Sequence, residues 1–267
     1  MGAPTAHALL QAIRERELGV AYQPKIDLHT GRVVGAEALA RWSHPPAAFV
    51  EVAERTGIIH RLTRFVLGEA LTACRGWLEL GLRIPVAVNV SAVDLADPTL
   101  PEDVAAALAA HRVPASLLEL EITETQIVHD RERTDAVLAA LAALGVQLAI
   151  DDFGTGHASL SQLVAMPVHV LKIDRSFVDG MLGDPRREAI VRSTVALGQA
   201  LDLKVVAEGV EDEATAARLL EWRCHLGQGW LWGRAMPPGD LAACAIARVP
   251  FRATVVTAVS SGSRLAA

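Results

Sequence analysis

The stretch GAEALARW, residues 35–42, puts an acid, Glu37, at the close of an apolar run that begins at Val33. The same arrangement recurs down the chain. Asn89 closes VAVN, Glu121 closes LLELE, and Asp151 and Asp152 follow QLAI. Lys172 follows VHVL, Glu208 follows KVVA, and Gln228 lies in HLGQGW. A buried strand gains nothing as core by ending in an acid or an amide, because that group must be desolvated. The repetition points to one site built from the ends of many strands.

Around these stretches, β-rich runs at 20–27, 33–39, 84–90, 117–123, 147–152, 168–174, 204–209 and 226–231 alternate with Ala/Leu-rich helical runs. The helices are expected at 60–79, 101–111, 131–144, 186–201, 212–221 and 238–246, with shorter ones at 48–55 and 158–163. Such alternation implies a mostly parallel sheet with right-handed crossovers. The first two strands are the exception. LHTGR at 28–32 is a turn short enough to join only antiparallel strands. An open sheet and a closed (β/α)8 barrel both fit the alternation. In an open sheet the functional residues would gather at one switch point; here nearly every strand contributes one, so a barrel mouth is favoured.

The chain has 267 residues, 51% of them hydrophobic, enough for one barrel-sized domain. A net charge of −6 argues against a surface that coats nucleic acid. It does not exclude a small anionic ligand held through metals. The three cysteines, Cys74, Cys224 and Cys244, form no CxxC pair and read as reduced thiols of a cytoplasmic protein. The N-terminal segment has no apolar core of a signal peptide. The longest apolar stretch, 136–150, is broken by Gly145 and Gln147 and is too short to span a bilayer. Residues 1–14 are expected to be a lead-in, 15–247 the domain, and 248–267 a flexible tail.

Adjacent carboxylates such as Asp151 and Asp152 are costly unless a cation or donors hold them. A pair of divalent metals would explain them; a turn or cap before FGTG is the plainer reading. In LELEITE, strand alternation puts Glu119, Glu121 and Thr123 on one face and Glu124 on the other. Glu121 is thus a candidate ligand, and Glu124 is better suited to bracing a neighbouring loop. Asn89 offers a neutral carbonyl to a hard cation or is a strand-end turn residue. Lys172, one of three lysines in the chain, shares a strand face with Asp174. It could hold a nucleophilic water or neutralise a phosphate, or be a surface lysine paired with Asp174. Glu208 could act as general base. Gln228, between glycines, either touches a ligand or serves the turn. The nine histidines form no HxH or HxxxH pair, which argues against zinc. Acid and amide ligands favour Mg²⁺ or Mn²⁺, and such a site fits phosphoester hydrolysis best among reaction classes.

Together the segments YQP at 22–24, EALARW at 37–42, NVS at 89–91, EITE at 121–124, DDFGTG at 151–156, LKID at 171–174, AEGVE at 207–211 and QG at 228–229 resemble the EAL-domain family of bacterial cyclic di-GMP phosphodiesterases. The resemblance covers roughly 15–245, in family order. It implies a modified (β/α)8, TIM-like barrel with one antiparallel strand, which agrees with the 28–32 turn. It implies hydrolysis of cyclic di-GMP to linear pGpG by a metal-activated water, with two Mg²⁺ or Mn²⁺ ions. Carried over by position, Glu37, Asn89, Glu121 and Asp151 would bind the first metal. Asp151, bridging, and Asp152 would bind the second. Lys172 would position the water, Glu208 would be a metal-site acid or general base, and Glu124 would hold the DDFGTG loop. Gln23, Leu39, Arg41, Asp174 and Gln228 match substrate-contacting or site-supporting positions. The family also implies a homodimer through the face carrying that loop.

Two departures stand out. After RWSHP the family has a longer segment, so HPPAAF at 44–49 either trims a loop at the mouth or marks a gap in the sequence. His157 stands where the family often has Tyr. An active phosphodiesterase is the leading reading. A non-catalytic cyclic di-GMP receptor is the alternative, and an interaction module without nucleotide binding would be expected to show eroded acids.

Overall fold

The computed structural model describes residues 3–124, 131–156 and 160–247; His157 and the expected tail at 248–267 lie outside them. The turn at 28–32 sets the direction of the first strand. Asp27 Oδ1 accepts from the backbone N–H of His29 (3.0 Å) and Thr30 (2.7 Å), and Gly31 takes a left-handed φ of 67°. Strand β1 (Gly19–Asp27) therefore runs antiparallel to β2 (Val33–Arg41).

The remaining strands are β3 (Val86–Asn89), β4 (Leu118–Thr123), β5 (Gln147–Phe153), β6 (Val170–Ile173), β7 (Lys204–Ala207) and β8 (Leu226–Gly227), each parallel to the one before. β8 pairs antiparallel with β1, Ile26 opposite Gly227, and closes the ring in the order β1 to β8. The fold is the closed α/β barrel expected, and β1 is its antiparallel strand.

The helices follow the expected positions, among them Ile59–Glu79, Leu100–His111, Arg131–Ala143, Pro185–Ala200, Glu213–Glu221 and Pro238–Ala247. The helix Ile59–Glu79 shows why they pack as they do. Leu62, Val66, Leu67, Ala70, Leu71, Cys74 and Trp77 recur at three- and four-residue spacing and are all buried. Among the described residues, three α-helices lie outside the expected ranges: the one-turn Ala92–Leu95 and Arg175–Val178, and the longer Ala6–Arg14. The Thr5 side chain caps Ala6–Arg14, accepting from the Ala8 N–H, and Leu9 and Ala12 join the main core. No described helix is long and apolar enough to cross a membrane. Cys74 and Cys224 are buried, Cys244 is exposed, and all three are free thiols.

The eighth strand is shorter than the 226–231 run expected. After Gly227 the chain bends across the loop that follows β7: Val210 N–H donates to the Gln228 carbonyl and Leu231 N–H to the Val210 carbonyl, both at 3.1 Å. The bend requires close backbone approach. A Cβ on Gly229 would lie 2.0 Å from the Val210 carbonyl oxygen. We predict that Gly229→Ala forces the two segments apart and destabilises the protein by about 1–3 kcal/mol, the cost of overpacking. Urea unfolding measures this; an unchanged midpoint would show that the bend tolerates a side chain.

Candidate functional site

The C-terminal ends of the parallel strands converge on one buried ammonium. Lys172, in β6, is 0% exposed. Its Nζ lies 2.7 Å from Glu208 Oε1, 2.9 Å from Glu121 Oε2, 2.9 Å from Asp151 Oδ1 and 3.8 Å from Glu37 Oε2. These acids come from β4, β5, β2 and the residue after β7. The ammonium meets them by charge rather than by directed hydrogen bonds. Lys172 Nζ, Glu121 Oε2 and Gln228 Oε1 are buried with no hydrogen-bond partner, an arrangement native proteins keep where a ligand or function demands it.

Two amides orient Glu37. Asn89 Nδ2 donates to its Oε1 at 2.9 Å, and Gln228 Nε2 donates to its Oε2 at 2.6 Å. Gln228 Nε2 also lies 3.4 Å from Gln23 Oε1. The bend at Gly229 thus delivers Gln228 into the mouth.

Asp151 and Asp152 are neighbours in sequence, and in a regular strand their side chains would point to opposite faces. The strand is not regular there. The β5–β6 register shifts between Ile150 and Phe153, and Asp152 takes φ +54°. Such a bulge re-aims side chains. As a result Asp151, Asp152 and Glu208 each present a carboxylate oxygen, and the three atoms lie within 4.8 Å of one another. An all-oxygen set of this kind suits a hard divalent cation, so these residues fit the metal that the resemblance implies.

The charges are strongly coupled. Burial pushes the Glu208 carboxyl up to about 8; Lys172 opposes this, and Asp151, Glu37 and Glu121 add to it. Burial, with Asp151 and Asp174 alongside, raises Asp152 to about 6. Burial and the Glu121 charge raise Glu37. Burial also disfavours the Glu121 carboxylate, but Lys172 and Lys25 outweigh it and hold Glu121 down at about 2. Burial disfavours the Lys172 ammonium, but the surrounding carboxylates raise it well above the ordinary lysine value. Lys172 is therefore a fixed cation, and burial with mutual repulsion raises Glu208 and Asp152 toward neutral pH.

The other residues singled out in the sequence take these places. Glu124 Oε2 accepts from the Gly154 and Gly156 N–H groups, both at 3.0 Å, so it ties down the loop after Asp152. Asp174 lies past the end of β6. It caps the short helix Arg175–Val178 by accepting from Ser176 N–H at 3.0 Å, and it borders Asp152, not Lys172. Gln23 and Leu39 line a pocket of about 170 Å³ with Glu37, Glu208 and Gln228. Arg41 is exposed and donates to the neighbouring Ala40 carbonyl; with Leu39 and Asn89 it lines a separate, mainly apolar cleft of about 300 Å³ beside Phe49 and Val50.

Four residues near the site carry no signal used in the sequence analysis: Trp230, Arg234, Arg175 and Lys25. Trp230 stands on the rim, 47% exposed, with the Arg234 guanidinium 3.9 Å and the Arg175 guanidinium 5.1 Å from its ring centre. Arg175 also pairs with Glu211 at 2.8 Å. The fourth is Lys25 in β1, buried and bonded to Glu119 and Glu121. Its signal was available: Gln23 and Lys25 share a strand face, so one polar residue in the barrel implied the other.

The EAL domain family profile matches residues 6–235. The bifunctional diguanylate cyclase/cyclic di-GMP phosphodiesterase MucR of Pseudomonas aeruginosa is 43% identical over 244 residues, 89% of this chain and 36% of its own length. Cyclic di-GMP phosphodiesterase PA2567 of the same organism is 37% identical over 241 residues, 88% of this chain and 41% of its own. The chain thus spans less than half the length of these relatives. Among solved structures, the PaMucR phosphodiesterase–c-di-GMP complex matches with a TM-score of 0.84 and 42% identity, covering 88% of this chain and 98% of that one.

Replacing Lys172 by Met would leave Asp151 and Glu208 buried without their cation, and Glu121 with Lys25 alone. In EDTA we expect Lys172→Met to cost about 3–5 kcal/mol, and Mn²⁺ to restore part of the loss. Thermal melts with and without Mn²⁺ measure both. A variant as stable as the parent in EDTA would show that the ammonium does not hold the acids together.

Proposed function

The chain belongs to the EAL domain family, and we propose that it hydrolyses one phosphodiester bond of cyclic di-GMP to give linear pGpG. One observation carries this reading. Glu37, Asn89, Glu121, Asp151, Asp152, Lys172, Glu208 and Gln228 form a complete, mutually supported set at the C-terminal mouth of the barrel. Its relatives' names, and the cyclic dinucleotide held by the PaMucR structure, support the substrate.

In this reading Glu37, Asn89, Glu121, Asp151, Asp152 and Glu208 would hold two divalent ions, Mg²⁺ or Mn²⁺, with Asp151 serving both. When bound, they supply Lewis acidity toward a phosphoryl oxygen and the attacking water. They also offset the negative charge of protein and substrate, which would otherwise repel.

The chain's own residues do the rest. Lys172 stays protonated, so it donates to and orients the water but does not accept its proton. Glu208, 2.7 Å from Lys172 Nζ, lies where it would take that proton once the neighbouring cations favour its ionised form. Asn89 and Gln228 fix both oxygens of Glu37. Glu124 keeps the loop carrying Asp152 closed on the site. The 170 Å³ pocket is smaller than the roughly 300–1,000 Å³ usual for a drug-sized ligand. It would take the reacting phosphodiester and leave the bases at the rim, near Leu39, Arg41 and Trp230. Residues 15–247 form the phosphodiesterase domain in this reading, acting in the cytoplasm as a homodimer through the DDFGTG face.

The alternative, a receptor that binds without turnover, is favoured by one feature. Only residues 42–45 separate β2 from the helix Pro46–Arg55. A short connection there leaves the cleft beside Leu39 and Arg41 less covered.

Purified protein incubated with cyclic di-GMP and Mg²⁺ or Mn²⁺ should release pGpG, and EDTA should stop it. Glu37→Ala should abolish hydrolysis with the circular dichroism spectrum unchanged. Binding without pGpG would favour the receptor; full activity in Glu37→Ala would refute the ligand assignment.

A further inference from the structure

Lys25 is a charged residue of the barrel interior that neither the proposed chemistry nor the strand-end pattern uses. It is 3% exposed and projects from β1 at the point where the β1–β2 register shifts, a bulge between Lys25 and Ile26. Its stem runs past Gly35 on the partner strand, where a Cβ would already touch it at 3.5 Å. Its Nζ lies 2.5 Å from Glu119 Oε1 and 2.7 Å from Glu121 Oε1. A cavity of about 520 Å³ opens at the N-terminal mouth of the barrel, and Lys25 and Glu119 form part of its wall. The pair stands between that cavity and the site.

The two oxygens of Glu121 therefore have different fates. Oε1 is tied to Lys25, while Oε2 faces Lys172 and has no hydrogen-bond partner. We propose that Lys25 is a positioning residue for this site: by holding Oε1 of Glu121 it commits Oε2, and only Oε2, to the ligand set around Lys172. Without Lys25, Lys172 is the only cation paired with Glu121 among the described residues, and both carboxylate oxygens can turn onto it. Glu119 anchors Lys25 from the far side and does not itself reach the site. The inference rests on reading the site as a divalent-cation centre.

Charge and position predict opposite signs. If Lys25 were only a charge, removing it would leave the site more negative and tighten cation binding. If it positions Glu121, removing it should weaken Mn²⁺ binding by about 10–100-fold, the usual cost of losing a residue that orients a metal ligand. The experiment is titration calorimetry with Mn²⁺ alone on Lys25→Met, on Glu119→Gln, and on the charge-balanced double variant Lys25→Met/Glu119→Gln, together with kcat and KM for cyclic di-GMP.

The double variant removes both members of the pair, so it should melt closer to the parent than Lys25→Met does. It should still bind Mn²⁺ weakly, with kcat reduced and KM near the parental value. Glu119→Gln leaves the Lys25–Glu121 bond in place and should keep most of the affinity. Parental or tighter Mn²⁺ binding in the double variant would overturn the proposal while leaving the cation site intact. A parent protein that binds no Mn²⁺ would remove the reading beneath it, and the proposal with it.

Discussion

A buried ammonium in contact with four carboxylates is the constraint on which this structure turns. Lys172 Nζ has Glu208, Glu121 and Asp151 within 2.9 Å and Glu37 at 3.8 Å. None of these groups could be buried alone, since an unpaired charge inside a barrel would neutralise or unfold it. Each strand end can carry an acid only because the other strand ends supply its counter-charge or its hydrogen-bond donors. Barrel closure is therefore as much an electrostatic requirement as a packing one. An open sheet would leave β2 and β7 too far apart for Glu37 and Glu208 to share one lysine.

The balance is incomplete, and that is what makes the arrangement chemically useful. Lys172 and Lys25 do not match Glu37, Glu119, Glu121, Asp151, Asp152 and Glu208 in number. The excess appears as carboxyls harder to ionise than usual, Glu208 pushed up to about 8 and Asp152 to about 6. A site in that condition favours any cation that can replace those protons. Backbone irregularity concentrates the effect. The bulge in β5 brings two adjacent aspartates to the same side, and the Gly229 bend drops an amide between Glu37 and Gln23.

Much of this was legible because strand ends announce themselves. VAVN, LELEIT and QLAIDD each pair an apolar run with a terminal polar group, and the structure puts all three on the same mouth. The antiparallel β1 followed from LHTGR because so short a turn permits nothing else. What stayed hidden depended on tertiary geometry. Alternation alone separates Asp151 from Asp152; only the register shift and the left-handed Asp152 reunite them. QPKID gave no sign that Lys25 would span to β4, since its partners lie 94 and 96 residues away. The run after Gly227 looked like strand because LGQGWLW is apolar, yet Gly229 allows a backbone crossing that ends it. The helix Ala6–Arg14 was readable from Thr5, Leu9 and Ala12 at capping and helical spacing, and was passed over as a lead-in.

The most direct test of the account is a crystal soaked in Mn²⁺ with cyclic di-GMP, with anomalous scattering recorded at the manganese edge. The account predicts peaks at the C-terminal mouth with Asp151 as a shared ligand, Lys172 moved aside from at least one carboxylate, and a phosphodiester of the nucleotide against them. Nucleotide bound at that mouth with no manganese beside it, and Lys172 still gathering all four carboxylates, would contradict it.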